Sequence, residues 1–167
     1  MDYLSLEKVK RCLTSVGVLV KDGKVLMVYH EDYGKWLLPG GHIKNTETPN
    51  QTVEREFFEE TGLKVEVIGE KQVFDVKYER ESLVLPFHVE VHPINKEKCK
   101  QHVAFVYWVK VVGDISEIFS SEPDVTDYKW VGLEDLKVMG LIDNMKKIVR
   151  FAIKNYPAEK RRPSLMM

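Results

Sequence analysis

The segment from Thr48 to Gly62 carries its own start and stop signals, and these constrain the fold more than any other stretch of the chain. Thr48 can cap a helix, Pro49 suits the first helical position, and Gln51 stands three residues after Thr48 as the reciprocal partner of a capping box. Val53 and Phe57, four apart, supply an inward apolar stripe, and Gly62 offers a left-handed stop. The pattern predicts a helix over Pro49–Thr61. On such a helix Glu56, Glu59 and Glu60 are three and four apart, so their carboxylates can converge on one side. They lie in its C-terminal half, where the helix dipole already disfavours negative charge. Arg55 can pair with Glu59, but one guanidinium cannot neutralise three carboxylates.

Two accounts fit three crowded acids. A solvated acidic face costs only a few tenths of a kcal/mol per pair. Alternatively, a hard dication turns the repulsion into chelation by oxygen ligands. Taken alone, the glutamates favour the first account; their surroundings favour the second. Pro39-Gly40-Gly41 lies just ahead, where main chain can approach a ligand or metal with no Cβ in the way. Glu47 adds another acid before the cap. Magnesium is typically held by few carboxylates together with substrate phosphates. A glycine loop, an acid and a glutamate-lined helix are suitable equipment for metal-assisted attack on phosphorus.

The rest of the chain reads as strands and one further helix. Leu13–Val20 and Val25–Tyr29 are aliphatic and β-branched, and Asp22-Gly23 between them predicts an antiparallel hairpin. Lys35 to Gly41 reads as a strand end running into a glycine-permitted loop. Strands are also expected at Val65–Ile68, Val73–Tyr78, Leu83–Val91, Val103–Val112 and Tyr128–Val131. Leu141, Met145, Ile148, Val149, Ala152 and Tyr156 recur at helical spacing and predict a second amphipathic helix. The 167 residues are expected to form one α/β domain spanning 1–167, with helices on the faces of a mixed sheet.

With 25 basic and 26 acidic side chains, the net charge of −1 gives no field for duplex nucleic acid or an anionic membrane. No apolar run approaches a membrane span and no secretory signal is visible, so the chain reads as cytoplasmic. Cys12 and Cys99 lack a Cys-x-x-Cys companion. The usual four-ligand zinc spacing is therefore absent, and the pair reads as two free thiols in a reducing compartment. His30, His42, His88, His92 and His102 are unclustered and read as surface or core residues. Strand alternation sends Tyr107 and Trp108 to opposite faces.

Gly41, Glu47, Arg55, Glu56, Phe57, Glu59, Glu60, Gly62 and Leu63 fill every defined position of the pattern Gly-x5-Glu-x7-Arg-Glu-U-x-Glu-Glu-x-Gly-U, where U is an aliphatic or aromatic residue. The segment resembles the Nudix box. Trp36-Leu37-Leu38-Pro39-Gly40-Gly41 is similar to the family's approach to the box, and Tyr128–Leu136 to the strand and turn before its last helix. The resemblance implies the Nudix fold, an α/β/α sandwich around a mixed β-sheet, and hydrolysis of a nucleoside diphosphate linked to another moiety. It further implies Mg²⁺, with Mn²⁺ as a substitute, held by Glu56, Glu59, Glu60 and the Gly40 carbonyl. Arg55 would orient those glutamates, and Glu47 would brace the loop to the helix. A distal acid serves as general base in some relatives; Glu122 is the candidate, with Glu117 the fallback. Arg11 and the Gly41 main chain are candidates for contact with substrate, and homodimers are common in the family.

Three rival readings differ in their demands on the box. The isopentenyl diphosphate isomerase of this fold has an altered box, non-catalytic nucleotide-binding relatives usually lose box glutamates, and a plain interaction protein would not need the glycines or Arg55. ADP-ribose-selective members often carry a proline shortly after the box, whereas the first here is Pro86. Tyr78 is a candidate counterpart of a tyrosine in diadenosine-polyphosphate relatives. Nucleoside triphosphates, dinucleotide polyphosphates and capped RNA ends all remain compatible.

Overall fold

Parallel pairing in the fold joins β1 (Arg11–Val18) to β8 (Cys99–Val111), in register from Arg11 opposite Gln101 to Val18 opposite Trp108. The structure, a computed structural model, describes residues 10–74, 81–115 and 117–157, with the main chain alone at Asn95. These two strands centre a five-stranded mixed sheet. β5 (Gly40–His42) runs antiparallel to β1, and β6 (Val65–Ile68) and β7 (His88–Lys96) run antiparallel to β8. A second, antiparallel sheet holds β2 (Val20–Lys21), β3 (Lys24–His30), β4 (Lys35–Leu37) and β9 (Val125–Val131). α1 (Pro49–Thr61) follows β5, while α2 (Asp135–Val138) and α3 (Asp143–Asn155) close the described chain.

The helix predicted from the capping signals has the expected bounds. Thr48 accepts from the Gln51 amide, the Gln51 side chain accepts from the Thr48 amide, and Gly62 is left-handed at φ 71°. Val53 and Phe57 are fully buried against the larger sheet. They pack at Gly17, where a Cβ would lie 2.9 Å from the Phe57 ring and 3.0 Å from Val53. Leu19, Leu26, Leu63, Val65, Tyr107 and Val109 complete this core. Burying each such side chain contributes about 1.5–3 kcal/mol. On the other side, Val18, Val106 and Trp108 pack with Leu136, Val149 and Ala152 of the later helices. Tyr107 and Trp108 thus enter different cores, as alternation requires, and the α/β/α arrangement is realised. Leu141, Ile148, Val149, Ala152 and Tyr156 are buried, with Met145 packed beside them.

Four expectations change. The Asp22-Gly23 turn exists, with φ of 50° and 69°, but its hairpin pairs only Val20–Lys21 with Lys24–Val25. The first strand crosses between sheets at Leu19 and spends its length on β8, a partner too remote in sequence for a local signal. The segment beginning at Gly40 is a short strand on β1 rather than a loop. Residues 83–87 are irregular, and the strand begins at His88. Val73 and Phe74 are in no strand; Val76, Tyr78 and the remainder of that expectation lie outside the described residues.

Candidate active site

Arg55 organises the carboxylates of α1. Its Nε donates to Glu47 Oε1 at 2.6 Å and its Nη2 to Glu47 Oε2 at 3.0 Å, a two-pronged pairing. Its Nη1 donates both to Glu56 Oε1 at 2.6 Å and to Glu59 Oε2 at 2.7 Å. Two box glutamates therefore converge on one nitrogen. Thr52 Oγ1 donates to Glu47 Oε2 at 2.9 Å, and Arg55 Nη2 also reaches the His42 carbonyl at 3.3 Å. These contacts clip the segment between β5 and α1 onto the helix. The Arg55 hydrogen bonds, with help from Thr52, lower the Glu47 carboxyl to about 2.

Glu60 turns the other way and is 3% exposed. The Gly40 amide donates to its Oε2 at 3.0 Å, and His30 Nε2 faces its Oε1 at 3.0 Å. His30 Nδ1 faces Asp124 Oδ2 at 3.2 Å. Burial opposes a charged imidazole, but hydrogen bonds and charge from Glu60 and Asp124 prevail, and the His30 pKa is raised. An imidazolium between two carboxylates donates from both nitrogens. The pKa values of Glu56 and Glu60 are also raised, chiefly by burial, with neighbouring carboxylates adding to the effect.

A register shift near His30 brings Asp124 alongside. Tyr29 lies opposite Asp127 but His30 opposite Val125, and the Glu31 amide donates to the Asp124 carbonyl at 2.8 Å. Such bulges re-aim side chains. The loop before β9 also docks on the end of α1. Ser121 donates through its amide and hydroxyl to the Glu59 carbonyl at 2.8 and 2.9 Å, and the Phe119 amide donates to the Thr61 carbonyl at 3.1 Å. Carbonyls left over at the helix terminus thereby gain partners.

Glu47, Arg55, Glu56, Glu59, Glu60, Gly40 and Gly41 are thus brought together. A Cβ on Gly41 would lie 2.5 Å from the Glu56 carboxylate, so the cradle is shaped for a glycine. Glu122 is half-buried on the docked loop, its amide bonded to Ser120 Oγ at 3.0 Å, but the loop acid joined to the cluster is Asp124. Glu117 is exposed. Arg11 stands apart from the carboxylates: it pairs with Gln101 at 2.8 Å, five residues along β1 from Val16, which faces Gly40. That separation is roughly 16 Å of extended strand. The sequence reads His30 as an isolated histidine and does not single out Asp124; the two are 94 positions apart, so no spacing signal connects them.

Residues 13–151 match the NUDIX domain. The chain belongs to the NUDIX family. An RNA pyrophosphohydrolase of Bartonella henselae is 32% identical over 160 residues, covering 84% of this chain and 87% of that protein. A MutT-like protein of Streptomyces ambofaciens is 50% identical over 52 residues, 30% of this chain and 34% of that protein. The chain thus matches about a third of the latter relative's length. A NUDIX-family hydrolase from Clostridium perfringens superposes with a TM-score of 0.66 at 26% identity, covering 87% of this chain and 98% of that one. A NUDIX hydrolase from Nitrosomonas europaea shares the fold with a TM-score of 0.62 at 20% identity, over 93% and 94% of the two chains. Among the described residues, this Nudix protein has no helix long and apolar enough to cross a membrane.

Proposed function

We propose that this Nudix hydrolase is a Mg²⁺-dependent pyrophosphohydrolase that cleaves a diphosphate linkage in a nucleoside diphosphate derivative, by attack of water at phosphorus. One observation carries the reading. Glu56 and Glu59 meet at a single Arg55 nitrogen while Glu60 is held beside Gly40, which concentrates more negative charge than Arg55 and His30 can offset. Such a donor set, hard and oxygen-only, suits magnesium. Glu56, Glu59 and Glu60, with the Gly40 carbonyl, would hold the ion, and Mn²⁺ would substitute. Bound there, the ion supplies charge neutralisation at phosphate oxygens and a more acidic water.

The protein's own residues do the positioning. Arg55 holds Glu56 and Glu59 at fixed spacing, and Glu47 fixes Arg55. His30, backed by Asp124, sets the orientation of Glu60. Gly40 lets β5 lie against β1, Gly41 leaves room for the Glu56 carboxylate, and the Gly41 main chain would contact substrate. All of this operates within one domain spanning 1–167, in a cytoplasmic setting.

RNA carrying a 5′ diphosphate linkage is the first substrate class to try, because the Bartonella relative matched over most of both chains is an RNA pyrophosphohydrolase. The test is phosphate or pyrophosphate release from a panel of nucleoside triphosphates, dinucleotide polyphosphates, ADP-ribose and 5′-triphosphorylated RNA. Turnover that needs Mg²⁺ and stops with EDTA supports the proposal; turnover indifferent to chelator overturns it. Tight nucleotide binding without turnover would instead mark a non-catalytic nucleotide-binding module. Size-exclusion chromatography of the same sample reads the homodimer expected from the family.

A further inference from the structure

Away from the carboxylates, the larger sheet gathers a second set of ligand-type side chains. Cys12 and Cys99 are remote in sequence, yet their Sγ atoms and a ring nitrogen of His42 all lie within 4.8 Å of one another. The three residues come from three adjacent strands. Cys12 is on β1, Cys99 opens β8, and His42 ends β5. An independent observation points to the same place. His102 lies beside Cys12 in the β1–β8 register, is 8% exposed, and its Nε2 is buried with no hydrogen-bond partner among the described residues. Its ring meets that of His42 edge-on, with centroids 4.9 Å apart. An orphaned buried nitrogen is costly and calls for a partner that the described residues do not supply.

We propose that Cys12, Cys99 and His42, completed by His102, form a second metal centre, for a soft tetrahedral ion of the zinc class. Two thiolates and two imidazoles match the preference of such ions and are the wrong donors for magnesium. The geometry is within reach: Zn–S bonds of about 2.3 Å and Zn–N bonds of about 2.0 Å imply ligand-to-ligand edges of roughly 3.3–3.8 Å. For Cys12, Cys99 and His42, closing from within 4.8 Å of one another needs shifts of about an ångström. Cys99 would exchange its present hydrogen bond to the Gln101 carbonyl, 3.2 Å long, for a metal bond.

The centre is structural. It rivets β5 to β1 and β8, and β5 is the strand that carries Gly40 and Gly41 and whose His42 carbonyl receives Arg55. Sequence spacing could not show it, because the ligands come from segments at residues 12, 42 and 99–102 rather than from a local Cys-x-x-Cys.

The test is a Co²⁺ titration of the full chain, purified untagged and kept reduced, alongside metal analysis of the protein as isolated. A thiolate-to-cobalt charge-transfer band with tetrahedral d–d absorption, saturating near one equivalent and bleached by Zn²⁺, is expected. Oxygen ligands on α1 cannot give a sulfur band, so Glu59→Gln retains it, and failure of the magnesium reading would leave this readout unaffected. Cys12→Ser should lose about half of the charge-transfer intensity, because the Cys99 thiolate remains, and weaken the site at least tenfold. His42→Ala, at an exposed side chain whose main-chain carbonyl is untouched, should lose the tetrahedral signature while circular dichroism shows a folded protein. Absence of a sulfur band in folded, reduced wild type overturns the proposal. So does a band unchanged in His42→Ala, or a protein isolated without metal and with Cys12 and Cys99 joined as a disulfide.

Discussion

Adding one methyl group at Gly41 separates stability from metal binding. A Cβ there would lie 2.5 Å from Cδ and Oε1 of Glu56, against an ordinary contact of at least 3.4 Å, so the carboxylate retreats by about 1 Å. The obstacle is the end of a flexible side chain, and Gly41 is not among the positive-φ glycines. Gly41→Ala should therefore cost no more than about 1 kcal/mol, or roughly 2–4 °C in Tm for a chain of this length. A 1 Å displacement of a ligand can nevertheless cost about a hundredfold in rate, near 2.7 kcal/mol of barrier. Gly40→Ala should behave in the opposite way. Its Cβ would lie 2.4 Å from the Ser15 carbonyl oxygen and 2.6 Å from Val16 Cα, main-chain atoms that cannot yield without parting β5 from β1. A loss of several kcal/mol, upwards of about 8 °C, is expected. Thermal melts paired with turnover across a Mg²⁺ series read both effects. The reasoning fails if Gly41→Ala melts as low as Gly40→Ala, or keeps wild-type turnover at subsaturating Mg²⁺.

Glu60→Gln should cut turnover by about a thousandfold while the melt moves by a few degrees at most; near-normal turnover would remove Glu60 from the site. Asp124→Asn keeps the shape beside His30 but not the charge, and should lower kcat about tenfold with KM unchanged. A larger kcat loss in Glu122→Gln would return the distal role to that acid. Glu47 gives a pH signature: its carboxyl falls from 4.5 to about 2 on folding, so its contribution is complete above about pH 4.5 and lost as pH falls towards 2. Discounted for solvent screening, that contribution is about 1–2 kcal/mol. Urea melts should show wild type more stable than Glu47→Gln at pH 6, with the gap closing towards pH 2.5; a constant gap would contradict the sign. EDTA should abolish turnover, and either Mg²⁺ or Mn²⁺ should restore it.

What could be read beforehand was what is local. Thr48, Pro49, Gln51 and Gly62 act within a few residues of one another, so α1 was legible to its ends, and the spacing of Glu56, Glu59 and Glu60 followed from helical geometry alone. Pairing across the chain was not legible. β1 prefers β8 to the hairpin partner beside it because eight parallel pairs between two cores outweigh one tight turn. His30 and Asp124 were missed for the same reason, since a register shift and a 94-residue separation bring them to Glu60. That long-range part also answers the objection first raised by the acids of α1, which crowd the unfavourable end of a helix dipole. The dipole's negative end consists of unpartnered carbonyls, and here the Glu59 and Thr61 carbonyls receive Ser121 and Phe119 from the loop before β9. That same loop leads to Asp124, whose carboxylate backs His30 against Glu60. One connection thus eases the helix end and braces the acid there, so the local charge pattern and the remote topology are parts of a single arrangement.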